Sequence, residues 1–364
     1  MRILAGLALL ALACSSSTPV APVATSDAGT DAAPIRTQAC IDRDIRLQQA
    51  LDGARKSPNA ALAVEDAACG RSVFVSGDAS SANVDSVWRI GSVTKTFVSA
   101  VILTLVRDGK VSLDDPLAKW VPNVTATDGV TVRMLMNHSS GIFNYTEVAA
   151  FFADRKRKWM PQEIVDLATA NAPYFAPGKG WHYSNTNYVL LGMIAEKAGA
   201  AKISALVRAR AIAPAKLTGI YFDGEETVDG TFAKGFASNG KTDVTFINDL
   251  SGPWSAGAMA AKPGDLAGWV RTLYGTETVL DAPRKALLTA DPVAGGRYGL
   301  GVQLLDESVT LDHGPGVGHG GDIDGFHTLA FYFPKEDIAV VAIVNQDGVN
   351  PNDILAAGMT ALTP

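Results

Sequence analysis

The distribution of strand-like segments constrains this chain most. Tyr298–Leu305, Val317–Gly321, Phe326–Phe333 and Ile338–Asn345 follow one another near the C-terminus, separated by turn residues. Two more runs, Ala60–Asp66 and Arg71–Ser76, lie near the other end and are joined by a Cys-Gly turn. Helical spacing fills much of the rest. Ile41, Ile45 and Leu51 place a helix over 41–56. Val93, Phe97, Val101 and Leu105 recur every fourth residue over 92–107, with Gly109 placed as a stop. Asn185–Lys197 reads as a helix ended by Gly199, and Asn352–Leu362 as a closing helix. Strands at both ends around a helix-rich middle predict a mixed α/β (α+β) body. Its sheet part would take residues 40–109 and 256–364, and an inserted, mostly helical part 110–255.

With 364 residues, 47% hydrophobic and 19% charged, the chain is a globular, enzyme-sized protein rather than a disordered one. A net charge of -6 argues against nucleic acid as a partner. Three cysteines are too few for a disulfide scaffold or a cysteine-rich zinc module.

The N-terminus differs from the body. Met1–Ala13 has one arginine and then an apolar run too short to span a bilayer, so it reads as a signal peptide. Cys14 follows it and Ser15–Ser17 come next, as in a bacterial lipoprotein signal; an ordinary cleavage site beside an incidental cysteine is the alternative. Residues 14–39, rich in Ser, Thr, Pro and Ala, would then tether an exported body to a membrane from a lipidated Cys14. Cys40 and Cys69 remain. A helix of about 24 Å answered by a strand of about 23 Å could bring them together. They either form a disulfide or stay as two buried thiols.

Several motifs can be weighed. Gly235–Thr242 matches the phosphate-loop pattern, but no strand precedes it and no helix follows it, so that reading fails. There is no G-x-S-x-G elbow and no H-E-x-x-H, so no metal or other cofactor is expected. Three separated pieces carry chemistry. Ser92-Val93-Thr94-Lys95 sits at the start of a helix, where residues three apart share a face. The helix N-terminus and burial would both push Lys95 toward a neutral base, and backbone N–H groups there suit an oxyanion. A simple cap and a solvated lysine are the plain alternative. Tyr183-Ser184-Asn185 offers a phenol for proton relay and an amide for holding a carbonyl, or merely a core Tyr and a capping Asn. His319-Gly320-Gly321, followed by Asp322, places two glycines in a strand, which marks a bulge, a close backbone approach or a plain turn.

Together these pieces make a resemblance. WRIGSVTKTF, TVRMLMNHSSGI, APGKGWHYSNTNYVLLGMIAEK, YGLGVQL and VGHGGDIDGF resemble, in order, the signatures of the penicillin-recognising serine hydrolases. These include D-alanyl-D-alanine carboxypeptidases, class C β-lactamases and related esterases. The resemblance covers about 87–349 and implies the β-lactamase/transpeptidase-like fold, an antiparallel sheet flanked by helices. It implies Ser92 as the nucleophile, with Lys95 and Tyr183 sharing proton transfer. Asn185 would hold the substrate amide, and the N–H groups of Ser92 and Asp322 would form the oxyanion hole. His319 stands where a lysine is usual, with a charge expected to change near neutral pH; Gly320 and Gly321 would line the substrate.

Two departures bear on substrate. Carboxypeptidases of this type often carry a Thr after the His and another after the Gly, where hydroxyls help bind a terminal carboxylate; here those positions are Gly320 and Asp322. An acidic side chain facing the site would repel a carboxylate. Arg297 is the candidate for the missing carboxylate clamp, and Trp181 and Trp254 for cleft walls or core. His138 is expected to be structural, and the basic run Arg155–Lys158 to be a solvated face. The expected activity is an exported serine hydrolase working through an acyl-enzyme. A D-alanyl-D-alanine carboxypeptidase-like peptidase acting on cell-wall peptides leads. A β-lactamase or esterase, or a non-turnover penicillin- or wall-binding lipoprotein, are the alternatives.

Overall fold

Strands from both chain ends form one antiparallel sheet, as the sequence predicts. In a computed structural model, which describes residues 36–363 apart from 123, 126, 311 and 312, six strands lie in the order β2-β1-β9-β8-β7-β6. These are β1 (Asn59–Asp66), β2 (Gly70–Gly77), β6 (Gln303–Leu305), β7 (Gly316–Ile323), β8 (Phe326–Phe333) and β9 (Ile338–Val344). A small second sheet joins β3 (Trp88–Arg89), β5 (Met259–Ala261) and β4 (Ile220–Phe222). The expected signal peptide, the expected tether up to residue 35 and Cys14 lie outside the described residues.

Every residue of β9 is buried, because both faces of the sheet are covered. Leu62, Val64, Phe331 and Val340 face one side, where helix α1 (Gln38–Ala54) contributes Leu47 and Leu51 and the closing helix contributes Ile354 and Met359. Ala61, Ala63, Val341 and Ile343 face the other side. There α2 (Thr94–Arg107) is buried around its whole circumference from Thr94 to Leu105, and α3 (Asn185–Gly199) packs on it. Period-two alternation in β1 thus serves two separate cores.

Arg36, ahead of the expected start of the body at Cys40, bonds Asp44 and Ser72. Arg36–Pro364 forms one compact unit. The middle also supplies β4, which no alternation in the sequence announces. The Tyr298–Leu305 run keeps only its last three residues as strand. Gly301 has φ 78°, and a Cβ there would lie 2.0 Å from Ser99 Oγ, so the chain dives into the core instead. Helix α3 runs two residues past the expected Lys197, through Gly199, with Ala200 taking the left-handed turn. A Cβ on Gly199 would sit 2.7 Å from Leu206, so that glycine serves packing. Gly235–Thr242 runs through turns, with Asn239 Oδ1 accepting from the Lys241 and Thr242 N–H groups. Cys40 and Cys69 form a disulfide.

Candidate active site

The first piece is placed by a turn pressed against a strand. Ile90 N donates to Met259 O, and Gly91–Val93 make one 3₁₀ turn before α2. Gly91 has φ 49°, and a Cβ on it would lie 2.7 Å from Asp322 N. A Cβ on Gly321 would lie 2.0 Å from Ile90 O and 3.1 Å from Ser92 N. The two glycines allow the backbones to touch, which puts the nitrogens of Ser92 and Asp322 beside one another. Gly320 is different: a Cβ there meets nothing closer than 3.4 Å.

Lys95 is wholly buried one turn inward of Ser92. Its Nζ lies 2.8 Å from Ser92 Oγ, 2.8 Å from Asn185 Oδ1 and 2.7 Å from Ala256 O. The two carbonyl-type oxygens can only accept. A neutral amine gives them its two N–H groups and turns its lone pair to the Ser92 hydroxyl. Burial pushes the lysine well below its ordinary value, although the nearby Asp322 charge opposes this. Tyr183 also hydrogen-bonds the Ser92 side chain, and burial pushes its phenol far up, so it keeps its proton. The amine lies 4.9 Å from the Tyr183 ring centre and 5.3 Å from that of Tyr188. Asn185 opens α3, and its N–H donates to Asn144 Oδ1. Ser92, Lys95, Tyr183 and Asn185, spread over 94 positions of sequence (92 to 185, counted inclusively), thus converge.

His319 is buried behind this group, and one tyrosine links it to His138. Tyr298 Oη lies 2.9 Å from His319 Nε2 and 3.1 Å from His138 Nε2. The directions follow from the ends of the chain. His138 Nδ1 accepts the Ser184 N–H, so its proton sits on Nε2 and is donated to Tyr298. Gly320 O can only accept, so His319 Nδ1 carries the proton and its Nε2 accepts from the Tyr298 hydroxyl. Both rings are neutral. Burial pulls His319 down to about 3 and His138 well below its ordinary value. The expectation that His319 changes charge near neutral pH is therefore corrected: a dry site holds it neutral. His138 is structural as expected, and it takes a strained φ of 63° to do so.

The Asp322 side chain is engaged by β8. It is 82% exposed and pairs with His327 Nδ1, its cross-strand neighbour on β8. Arg297 donates to Ala294 O and lines a separate cavity with Tyr274 and Lys285, so it supplies no clamp. Trp181 is partly exposed, 6.4 Å from the His138 ring and 5.9 Å from Tyr298. Trp254 is core, bonded to Glu225 and packed near Gly192. The basic run is tied down: Arg155 pairs with Asp324 and Arg157 with Glu163. Sequence reasoning did not single out Tyr298, Gln303 or the Ala256 carbonyl. The YGLGVQL signature contains the first two, but no local pattern says that a tyrosine will bridge two histidines.

The chain is 26% identical over 284 residues to Penicillin-binding protein 4* of Bacillus subtilis, covering 72% of this chain and 61% of that one. It is 26% identical over 271 residues to D-aminopeptidase of Brucella anthropi, covering 71% and 49%. The chain thus spans about half to three-fifths of the length of these relatives. Among solved structures, D-stereospecific amidohydrolase from Streptomyces superposes with a TM-score of 0.76 at 29% identity, covering 86% of this chain and 98% of that one. D-amino acid amidase from Ochrobactrum anthropi, in complex with L-phenylalanine amide, gives 0.79 at 26%, covering 88% and 98%. The family model described as Beta-lactamase matches residues 46–363. The chain belongs to the Beta-lactamase family and has the fold of its serine hydrolases.

Proposed function

We propose that this protein hydrolyses an amide bond next to a D-amino-acid residue, in small amides or short peptides, through an acyl-enzyme on Ser92. One observation carries the chemistry: a wholly buried Lys95 amine, pushed toward its neutral form, 2.8 Å from the Ser92 hydroxyl and in reach of Asn185 Oδ1 and Ala256 O. Ser92 Oγ attacks the carbonyl carbon while its proton passes to Lys95 Nζ. The resulting oxyanion is held by the N–H groups of Ser92 and Asp322. The C–N bond then breaks, and the leaving amine takes the Tyr183 proton, which Lys95 replaces. Water repeats the sequence on the ester and frees Ser92. Asn185 holds the acyl-side amide of the substrate. Gly320 and Gly321 form the wall beside it, and His319 stiffens that wall as a neutral group.

The choice of an amide over a free D-alanyl-D-alanine end rests on two features. Arg297 is engaged elsewhere, and the positions after His319 and Gly321 lack hydroxyls. The likeness to amidohydrolases for D-amino-acid substrates supports the same choice. Intact mass after exposure to a D-amino-acid amide, a D-Ala-D-Ala peptide, a p-nitrophenyl ester and a cephalosporin tests it. An acyl adduct with turnover from the first, absent in Ser92→Ala, is expected. Trapping by cephalosporin without turnover of any amide would favour the penicillin-binding alternative.

The same proposal places the protein outside the cytoplasm, anchored through a lipidated Cys14. A disulfide at Cys40–Cys69 suits an oxidising compartment. The mass of the membrane-extracted protein should show removal of Met1–Ala13 and a diacylglyceryl group on Cys14. Recovery in the soluble fraction with residue 14 unmodified would remove the anchor.

A further inference from the structure

We propose that Gln303 determines substrate length: its carboxamide caps the edge of β7 at Gly320, leaving a substrate backbone only Asp322 to pair with. This rests on the reading of the cleft as an amide hydrolase. Strand β6 pairs with β7 from Gly316 to Gly318 and then stops, which leaves the edge beyond Gly318 uncovered by strand. Backbone groups alternate along an antiparallel strand, so those of Gly318, Gly320 and Asp322 point to this edge, while the intervening residues bond to β8. An open edge of this kind is a template for an extended peptide. Here it is partly closed. Gly320 N–H donates to Gln303 Oε1 at 2.9 Å, and Gly320 O accepts from His319 Nδ1. Both polar groups of Gly320 are therefore occupied by the protein itself. Gln303 also lines a cavity of about 400 Å³ with Gly320, Asp322 and Asn350.

A short substrate loses nothing by this closure, because its reacting carbonyl needs only the Ser92 and Asp322 N–H groups. An extended peptide must displace the cap or forgo pairing. The experiment compares D-alaninamide with the amide of a D-alanine tetrapeptide, in wild type, Gln303→Ala and Gln303→Glu. Gln303→Ala should raise the tetrapeptide-to-alaninamide ratio of kcat/KM by about 3- to 10-fold, carried by a lower peptide KM. Gln303→Glu keeps an accepting oxygen and should hold the wild-type ratio. Gln303→Ser replaces the alanine variant if that one does not fold, with the same expectation. Fluorophosphonate labelling of Ser92 confirms an intact site in each protein. An unchanged ratio in a labelled Gln303→Ala protein overturns the inference, as does a wild type that already prefers the tetrapeptide. A labelled wild type that hydrolyses neither amide overturns the amidase reading itself, and the inference with it.

Discussion

Lys95 shows how one residue's surroundings set its chemistry. In the proposed mechanism its amine is useful only while it lacks a proton, and burial pushes it toward that state. As pH falls through the lowered value in the folded protein, the lone pair is lost and acylation falls with it. We expect kcat/KM for a D-amino-acid amide to show an acid limb from Lys95 and no limb from His319 between about pH 5 and 8. A His319-dependent inflection in that window would contradict the buried, neutral ring. Lys95→Ala should lower kcat/KM by about 100- to 10,000-fold while leaving the protein folded. Tyr298 is the complementary case. Tyr298→Phe leaves the His138 N–H and His319 Nε2 unpartnered in the interior, at about 1–3 kcal/mol each. Urea unfolding should show a loss of about 2–6 kcal/mol. A loss below about 0.5 kcal/mol would mean that the hydroxyl does not bridge the two rings.

At the scale of elements, the contact between the Gly91–Val93 turn and β7 builds the proposed oxyanion hole, and the two glycines of the third motif differ there. Gly321→Ala drives a Cβ into Ile90 O, backbone against backbone, with no side chain to yield. The strand must lift away from the turn, so activity should fall by at least about 100-fold, as when an oxyanion donor is lost. Gly320→Ala meets only ordinary contacts and should cost under about 1 kcal/mol of stability. Thermal melts and initial rates on both variants check the contrast; equal melting points would contradict the close approach. The sequence made much of this legible. Spacing placed α2, α3, β8 and the closing helix to within a residue or two, because each has a regular apolar period or a strong turn at its ends. It did not separate Gly320 from Gly321, since the distinction lies in a segment about 230 residues away. It also extended β6 back to Tyr298, because an apolar run broken by glycines reads the same whether it pairs or dives into the core.

At the scale of the whole molecule, the site and the disulfide lie on opposite sides of the sheet, and that separation predicts how the protein tolerates reduction. Ser92, Lys95 and His319 belong to the side packed by α2 and α3. Cys40 begins α1 on the other side and is joined to Cys69 in the β1–β2 turn. The bond closes a span of 29 residues, which in the chain-entropy model contributes about 3–4 kcal/mol. Without it, α1 still has Leu47 and Leu51 in the core and Arg43 paired with Asp66, so the helix should remain docked. Cys40→Ala/Cys69→Ala should therefore unfold at a lower urea concentration yet keep kcat/KM at 25 °C within about 2-fold. Denaturant melts and rates on the same preparation decide it. A large loss of activity in the folded double variant would mean that α1 reaches the serine through the sheet, against the division of the molecule into two cores.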